Sequence, residues 1–391
     1  MATATTTARP PLWRNVRFLR ILGQAIFVLL LVIVAREAFL NLQYGVEQQN
    51  LDLSFDFLQQ RAGFAIKEGI DYSPNESFWS AYVVGVMNTV RIAFVGIVLA
   101  TVLGLVMGIA RLSSNWLVRR IAQVYVEVIR NTPVLVQIIF WYVAVVLALP
   151  VIEGGLSVFD VAFVSNRGTA VTWFHLEDGI WAWGLFLLAA AIVGWFVARW
   201  RTAVGERSGR PARRLPWVAG AFLLVAAAGF VLSGSPLAAD APAVGRFGYE
   251  GGLQVSPEYT ALLLGLVIYT GAFITEIVRG SIQSVPKGQK EAAEALGLTP
   301  RQQLQLVVLP LALRVAIPPL NNQYLNLTKN SSLALAIGYP EIVSVSNTII
   351  NQAARATQML LLMMGTYLVL TLSISAVMNV VNRAVTRRGQ P

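Results

Sequence analysis

Long, uncharged, apolar runs recur along this 391-residue chain, and they decide what it can fold into. Residues 180–198 and 359–381 are two such runs without a single charge. Each is close to the roughly 20 residues that a helix needs to cross a bilayer. Charged residues make up 13% of the chain, against about a quarter in soluble domains. The runs are continuous rather than alternating, which favours helices over membrane-spanning strands. The sequence therefore predicts an all-α, polytopic membrane protein.

Eight spans can be placed, and basic segments lie between them. They cover residues 19–40, 81–110, 121–149, 180–198, 216–232, 259–276, 304–330 and 359–381. Positive charge concentrates in the cytoplasmic loops of membrane proteins. Residues 199–214 hold six arginines against Glu206, and arginines also precede the first span and follow the last. We therefore expect both termini to lie in the cytoplasm. Within the third span, we expect Pro133 either to kink the helix or to restart it.

Several kinds of chemistry lack the residues that they need. The chain has no cysteine, which excludes thiolate metal sites and disulfides. Its one histidine, His175, falls in a predicted external loop. Walker A, His-Glu-x-x-His and Gly-x-Ser-x-Gly sequences are missing. Membrane topology accounts for the net charge of +10, so we expect no nucleic-acid partner. We also expect no catalytic residue, metal or cofactor in this chain.

One polar, helix-forming stretch stands between hydrophobic spans, at residues 291–310. Its marking residues are Glu291, Ala292, Ala293, Gly297, Val307, Leu309 and Pro310. The alanines favour a helix, Gly297 suits a C-terminal stop, and Thr299-Pro300 is typical of the start of a second helix. The pattern predicts a short helix, a glycine turn and a second helix that runs into the membrane. At the helix N-terminus, Glu291 and Glu294 would be favoured by the helix dipole. A surface helix without a partner would share this composition.

The spacing of this stretch resembles the cytoplasmic coupling loop of ABC importer permeases. That spacing is Glu-Ala-Ala, three residues, Gly, nine residues, then aliphatic-x-Leu-Pro. In that family the loop docks into a groove of the ATPase subunit and carries its closure to the membrane helices. The resemblance implies a type I importer-like core with a cytoplasmic coupling helix and about eight transmembrane helices. It assigns ATPase coupling to Glu291, Ala292, Ala293, Gly297, Leu309 and Pro310.

Other segments resemble the polar amino acid (histidine/glutamine-type) branch of this group. They are Asn88-Thr-Val-Arg91, Arg130-Asn-Thr-Pro-Val-Leu-Val-Gln137 and Lys329-Asn-Ser-Ser332. The chain is similar to the longer subunit of general L-amino acid importers, because the minimal family unit lacks the first span and much of residues 151–256. We divide the chain into four parts, residues 1–80, 81–150, 151–257 and 258–391. The fourth part contains the coupling loop at 280–301. The first and third parts are additions to the permease core.

The predicted seventh span is the least regular, because Pro310, Pro318 and Pro319 interrupt it. Broken helices with amides at membrane depth are tolerated where they line a cavity or are buried in protein. We therefore expect a substrate pathway formed by Asn321, Asn322, Gln323, Asn330 and Ser331. Lys329 either reaches the membrane interface or belongs to the same pathway.

The resemblance also implies partners for the chain. These are a dimer of ABC ATPase subunits that hydrolyses ATP, a second homologous permease in a heterodimeric pore, a periplasmic amino-acid-binding protein and the lipids of a bacterial inner membrane. An ion-coupled secondary transporter is the alternative. It would need ionisable groups at the membrane midplane and an inverted repeat, and neither is visible in the sequence. A membrane-embedded enzyme fits less well, because candidate catalytic side chains are few.

Overall fold

The computed structural model describes residues 16–48, 54–152, 155–158, 161–208, 214–245 and 249–387. The basic tail before Val16 and the arginines at 210, 213 and 388 lie outside these ranges. Helices dominate the described residues: α1 Val16–Gln48, α2 Phe78–Arg111, α3 Trp116–Arg130, α4 Val134–Phe140, α5 Ile180–Ser208, α6 Leu215–Leu232, α7 Pro257–Gln283, α8 Lys287–Ala295, α9 Pro300–Gln303, α10 Leu309–Asn330, α11 Ile342–Ala353 and α12 Ala356–Arg387.

Within the described ranges, seven helical segments are long and apolar enough to cross a membrane, and a bent pair of helices brings the total to eight if it forms one span. The seven are Phe18–Asn41, Phe78–Arg111, Ile180–Arg207, Leu215–Leu232, Pro257–Gln283, Pro300–Ile337 and Ala356–Thr386. The bent pair joins Trp116–Arg130 to Val134–Val146. The predicted helical membrane fold with about eight spans is therefore confirmed.

In the third span the helix ends at Arg130 and restarts at Val134, which is one of the two outcomes expected at Pro133. Its two halves are bent by 105° around Pro133. Proline cannot donate a backbone hydrogen bond, and it disfavours helical geometry at the preceding residue. Gln137 stabilises the bend by donating from Nε2 to the carbonyl oxygens of Ile129 at 2.9 Å and Thr132 at 3.0 Å. A π-helical segment, Trp141–Val146, continues α4.

The core is built around α2 and α7, which run side by side. Gly104 lies against Ile274, and Gly108 lies against Val278. A Cβ added at Gly108 would be 2.7 Å from the Cβ of Val278. Small residues at such positions let two helix backbones approach closely, which is the main source of helix association in lipid. Next to this pair, α10 packs on both α7 and α12.

The seventh span is more regular at its prolines than predicted. Pro318 and Pro319 lie inside the uninterrupted helix α10, so the expectation of a break there was wrong. The irregular segments lie at its ends instead: π-helical Leu304–Val308 before it and a 3₁₀ helix, Ser331–Ile337, after it. Neighbouring helices in a membrane bundle can satisfy the backbone groups that a proline frees.

The two segments predicted as plain external loops form three small antiparallel sheets. Their strands are β1 Leu156–Val158, β2 Ala162–Ser165, β3 Gly168–Val171, β4 Trp173–Leu176, β5 Leu237–Asp240, β6 Ala243–Val244, β7 Tyr249–Glu250 and β8 Leu253–Val255. The sheet orders are β1-β2-β3-β8, β4-β5 and β6-β7. His175 therefore lies in a strand rather than a loop, and its Nε2 is 2.9 Å from Oδ2 of Asp240.

These sheets define one side of the molecule, the sheet side. The helix α5 starts directly after β4, and α7 starts directly after β8. Each helix crosses the membrane once, so both end on the opposite side. We call this the coupling side, because α8 follows α7 there. The last residues of α5 and the first residues of α6 lie on the coupling side as well.

Candidate coupling surface and polar pathway

The polar stretch at residues 291–310 forms a short helix, a glycine turn and a second helix, as predicted. Helix α8 ends at Ala295, and Gly297 has a φ of +73°, in the left-handed region that favours glycine. The Leu298 N–H donates to the Ala293 carbonyl at 3.1 Å, and the Gly297 N–H donates to the Glu294 carbonyl at 2.8 Å. This bond pair is the Schellman motif, which satisfies carbonyls left over at a helix end.

The second helix starts with a capping box. Thr299 Oγ1 accepts from the Gln302 N–H at 3.4 Å, and the Thr299 N–H donates to Gln302 Oε1 at 2.9 Å. Pro300 occupies the first turn, where its missing N–H has no helical partner to lose. The Schellman motif at Gly297 and the capping box at Thr299 therefore together set the angle between α8 and the helix that follows.

The surface of α8 has one anchored side and one exposed tip. Ala293 is only 3% exposed, and α8 lies against the π-helical segment before α10. Glu291 and Ala292 are exposed, and Leu296, beside Gly297, is 80% exposed. An exposed leucine next to a rigid glycine turn is available for a partner. Ala293 is placed to hold the helix instead.

The dipole argument for the two glutamates was wrong. Helix α8 begins at Lys287, earlier than the Glu-Ala-Ala sequence indicated. Glu291 is therefore in the middle of the helix, and Glu294 is in its last turn, where the dipole disfavours negative charge. The early start follows Pro286, the N-cap residue.

Leu309 and Pro310 lie away from the exposed tip, where α10 begins. The Leu309 N–H donates to the Leu304 carbonyl, five residues back, and Pro310 has no N–H to donate. Beside them, Val285, Val308 and Ala312 form a small buried cluster. This cluster ties the end of α7 to the start of α10. Leu309 and Pro310 therefore lie at the start of α10, next to this cluster and apart from the tip of α8.

An ion-pair network joins α2 to α7 on the coupling side. Glu276 bridges Arg111 and Arg279, and its Oε2 lies 2.8 Å from Nη2 of Arg279. In the sequence, Arg111, Glu276 and Arg279 indicated only where two spans end. Their pairing depends on the parallel packing of α2 and α7, which no local pattern shows.

A polar cavity of about 310 Å³ lies next to this network. Its side chains include Glu127, Arg130 and Asn131, from the end of α3 and the bend that follows. The Arg130 guanidinium carbon is 4.9 Å from the centroid of the Phe273 ring. The segment Arg130–Gln137, which resembles the amino acid permeases, therefore begins at this cavity with the charged side chain of Arg130.

The predicted pathway residues do not share one surface. Asn322 is exposed, and Asn326 and Lys329, four and seven residues further on, are exposed on the same face of α10. Gln323 and Asn330 are half-buried, and they flank that face. Sequence reasoning missed Asn326, although the spacing with Asn322 and Lys329 is typical of one helix face.

Asn321 and Ser331 point away from the exposed face. The Asn321 Oδ1 is buried and has no hydrogen-bond partner among the described residues. Ser331 is fully buried and donates to the Thr328 carbonyl at 2.7 Å. Beside Lys329, an open cavity of about 660 Å³ lies between α10, α11 and α12.

Comparison with known proteins places these features in a family. Residues 212–388 match the model of the binding-protein-dependent transport system inner membrane component. The chain is 40% identical to the amino-acid ABC transporter permease protein YhdX of Escherichia coli strain K12 over 366 residues, 93% of each chain. The chain belongs to the amino-acid ABC transporter permeases.

Two further relatives extend the same match. The permease is 42% identical to the general L-amino acid transport system permease protein AapQ of Rhizobium johnstonii, covering 91% of this chain and 90% of AapQ. It is 38% identical to the glutamate/glutamine/aspartate/asparagine transport system permease protein BztB of Rhodobacter capsulatus, covering 92% of both. The predicted family is confirmed, and the relatives give no support to an ion-coupled secondary transporter.

On the sheet side of the permease, Glu68 joins three separate segments. Its Oε1 is 3.2 Å from Nη1 of Arg91, and its Oε2 accepts from the Ser256 N–H at 3.0 Å. Asn88 Nδ2 donates to the carbonyls of Glu68 and Pro340, at 3.0 and 2.9 Å. Burial raises the pKa of Glu68. The Asn88-to-Arg91 motif therefore holds the sheet side together.

A second buried carboxyl, Glu341, caps α11. It is fully buried, and its Oε1 accepts from the Ser344 N–H at 2.8 Å. Tyr367 Oη donates to its Oε2 at 3.2 Å. Burial raises the pKa of Glu341 from 4.5, although these hydrogen bonds oppose the effect. No local pattern indicated this site, since an isolated glutamate after Tyr339-Pro340 is typical of an exposed loop.

This carboxyl predicts a pH dependence of stability. As pH rises above 4.5, the unfolded chain loses the Glu341 proton before the folded permease does. Stability from this group is therefore lost as pH rises towards the folded-state pKa. We expect Glu341→Gln, which mimics the protonated acid, to gain melting temperature relative to wild type across that window. Glu177→Gln, at an exposed position, is the control. Melting curves that stay parallel at every pH would contradict the assignment.

Proposed function

We propose that this permease moves polar or general L-amino acids into the cytoplasm as the membrane subunit of an ABC importer. A separate ATPase dimer hydrolyses ATP, and a periplasmic binding protein delivers substrate. The observation that carries the proposal is the tip of α8, where exposed Leu296 and the Gly297 turn stand on a helix anchored through Ala293. This is the shape of a docking element that transmits force to the span behind it.

The orientation follows from charge. The coupling side carries Arg111, Arg119 and Arg120 on either side of the α2–α3 turn, and Arg207 and Arg214 at the neighbouring ends of α5 and α6. Arginine-rich connections lie in the cytoplasm of bacterial membrane proteins. We therefore place α8 and both chain termini in the cytoplasm, and the three small sheets in the periplasm. An ATPase on the cytoplasmic face would then meet α8 directly.

A second permease chain is supported by the polar face of α10. Asn322, Asn326 and Lys329 are exposed on a span, and polar side chains are costly where they face lipid. A homologous chain packed against this face would shield these side chains and leave them lining the interface. We propose a heterodimeric pore in which this face forms part of the substrate pathway. Gln323 and Asn330 would lie at its edges.

The substrate range is proposed to be broad. Relatives over the full length of the chain carry amino-acid transport in their names, one for general L-amino acids and one for glutamate, glutamine, aspartate and asparagine. On the coupling side, the cavity at Arg130 also contains Glu127. A cation and an anion in one cavity can pair with the carboxylate and the ammonium that all free amino acids share.

Reconstitution tests the function directly. The permease, its ATPase, the second permease and the binding protein are placed in proteoliposomes with a panel of L-amino acids. We expect uptake that needs ATP and all four components. Uptake driven by an ion gradient without the ATPase would overturn the proposal.

Alanine substitution tests the proposed pathway. We expect Asn322→Ala to lower uptake about fivefold and to change the order of preference among amino acids, because one hydrogen bond to substrate is worth roughly 1 kcal/mol. Leu313→Ala, at an exposed apolar position of the same helix, is the matched control. Uptake and preference that stay unchanged in Asn322→Ala would remove this residue from the pathway.

A further inference from the structure

We propose that the hairpin of α5 and α6 binds the headgroup of an anionic phospholipid at its coupling-side end. The site consists of Arg199 and Arg201, which are held against tryptophan rings. The inference concerns the inserted part of the chain and is independent of which substrate is transported.

The hairpin packs mainly on itself. Trp183 Nε1 donates to the Ala226 carbonyl at 3.0 Å, and Gly229 lies directly against the Phe186 ring. Large apolar side chains such as Leu188 and Leu224 point outward and are exposed. On the sheet side, the strand pair β4–β5 joins the two ends of the hairpin to each other, and the pair β3–β8 leads to the start of α7. The flanks of the hairpin therefore offer apolar surface suited to acyl chains.

At the coupling-side end, two guanidinium groups lie against indole rings. The guanidinium carbon of Arg199 is 4.4 Å from the Trp195 ring centroid, one helical turn away. That of Arg201 is 5.0 Å from the Trp217 ring centroid on α6 and 5.9 Å from that of Trp200. Tryptophan concentrates at the headgroup level of membranes. The two cations are thus held at the depth where lipid phosphates lie.

Among the described residues at this end, basic side chains outnumber acidic ones. Arg207 and Arg214 add to the positive charge, and Glu206 is an acidic neighbour in the sequence. Among the described residues, no ion pair involves Arg199, Arg201, Arg207 or Arg214. The Arg201 Nε is buried without a hydrogen-bond partner in the part of the chain that is described, so its binding capacity lies at the Nη atoms. Guanidinium groups that are already oriented lose less side-chain freedom when they bind a phosphate in two-point contact.

An anionic phospholipid is the occupant that fits both parts of the surface. Its phosphate complements the two guanidinium groups, and its chains match the exposed leucines of the hairpin. Basic sites between helices on the cytoplasmic side are suited to such headgroups. Free phosphate would contact the guanidinium groups but would not cover the exposed leucines.

Native mass spectrometry of the full chain tests the site. The permease is extracted from vesicles that contain equal phosphatidylglycerol and phosphatidylcholine with identical acyl chains. We expect wild type to retain phosphatidylglycerol preferentially. Arg199→Gln/Arg201→Gln should lower the retained ratio about 25-fold, since each cation near a headgroup contributes about fivefold. Trp217→Leu keeps the charge and removes one ring, and we expect about a fivefold loss.

The matched control removes the same charge from the same end. Arg207→Gln/Arg214→Gln should lower the ratio less than about threefold, because the described contacts hold neither residue on a tryptophan ring. Equal losses in the two double variants would mean diffuse attraction and would overturn the site. So would a wild type without preference for phosphatidylglycerol, or displacement of the lipid by millimolar inorganic phosphate. If the double variant does not fold, Arg199→Gln alone, on one helix, gives the same comparison against Arg207→Gln.

Discussion

Gly297→Asp is expected to abolish ATP-driven uptake while the permease still folds and inserts. Aspartate tolerates left-handed geometry better than most residues, and a Cβ at Gly297 meets no atom within 4 Å. The turn after α8 should therefore form. The added carboxylate would enter the proposed ATPase contact without a partner, which costs roughly 3–5 kcal/mol. We expect a loss of at least about hundredfold in uptake and in ATPase stimulation by substrate.

Gly297→Asn separates charge from shape in this experiment. Asparagine has nearly the same size and the same tolerance of positive φ. We expect it to retain a substantial share of uptake. Normal uptake by the aspartate variant would remove Gly297 from the ATPase contact. Equal loss in both variants would show that the bare glycine surface matters rather than charge.

Gly104→Ala/Gly108→Ala is expected to destabilise the permease strongly. A Cβ at Gly104 would overlap the Ile274 side chain, and one at Gly108 would lie 2.7 Å from Val278. Overpacking of this kind costs about 1–3 kcal/mol per site. Separation of α2 from α7 would also weaken the Arg111–Glu276–Arg279 network. We expect a lower melting temperature and a lower yield of monodisperse protein.

Two glycines of the α5–α6 hairpin provide the control. Gly184 and Gly220 lie in apolar helices, and a Cβ at either position meets nothing within 4 Å. Gly184→Ala/Gly220→Ala should leave stability unchanged or slightly raised, because alanine favours helices. Similar losses in both double variants would show that the close α2–α7 approach is not what stabilises the core.

Features that depend on neighbouring residues were predictable. The α8–Gly297–α9 unit is such a case, since alanines, a glycine stop and Thr299-Pro300 act within one or two turns. The helical spans were predictable for a related reason: lipid obliges each apolar run to satisfy its own backbone. The start of α8 was placed too late, and the reasoning about Glu291 and Glu294 failed with it.

Features that depend on distant residues were not predictable in the same way. Strand β3 pairs with β8, and the whole α5–α6 hairpin lies between them in the chain. These strands are too short to show an alternating pattern. A proline can bend a helix or be accommodated, and its neighbours decide which. The third span bends by 105° at Pro133, whereas α10 passes through Pro318 and Pro319 unbroken.

By itself, the sequence determined that this chain is a helical membrane protein with a short helix, a glycine turn and a second helix at residues 291–310, because hydrophobicity and helix capping act over a few turns. Only the tertiary structure decided which polar residues meet. It buried Ser331 and the Oδ1 atom of Asn321 while exposing Asn322 and Asn326, and it joined Glu276 to Arg111 on another helix. The physical reason is that the rotation of a helix about its axis is set by packing against other helices, which local patterns do not encode.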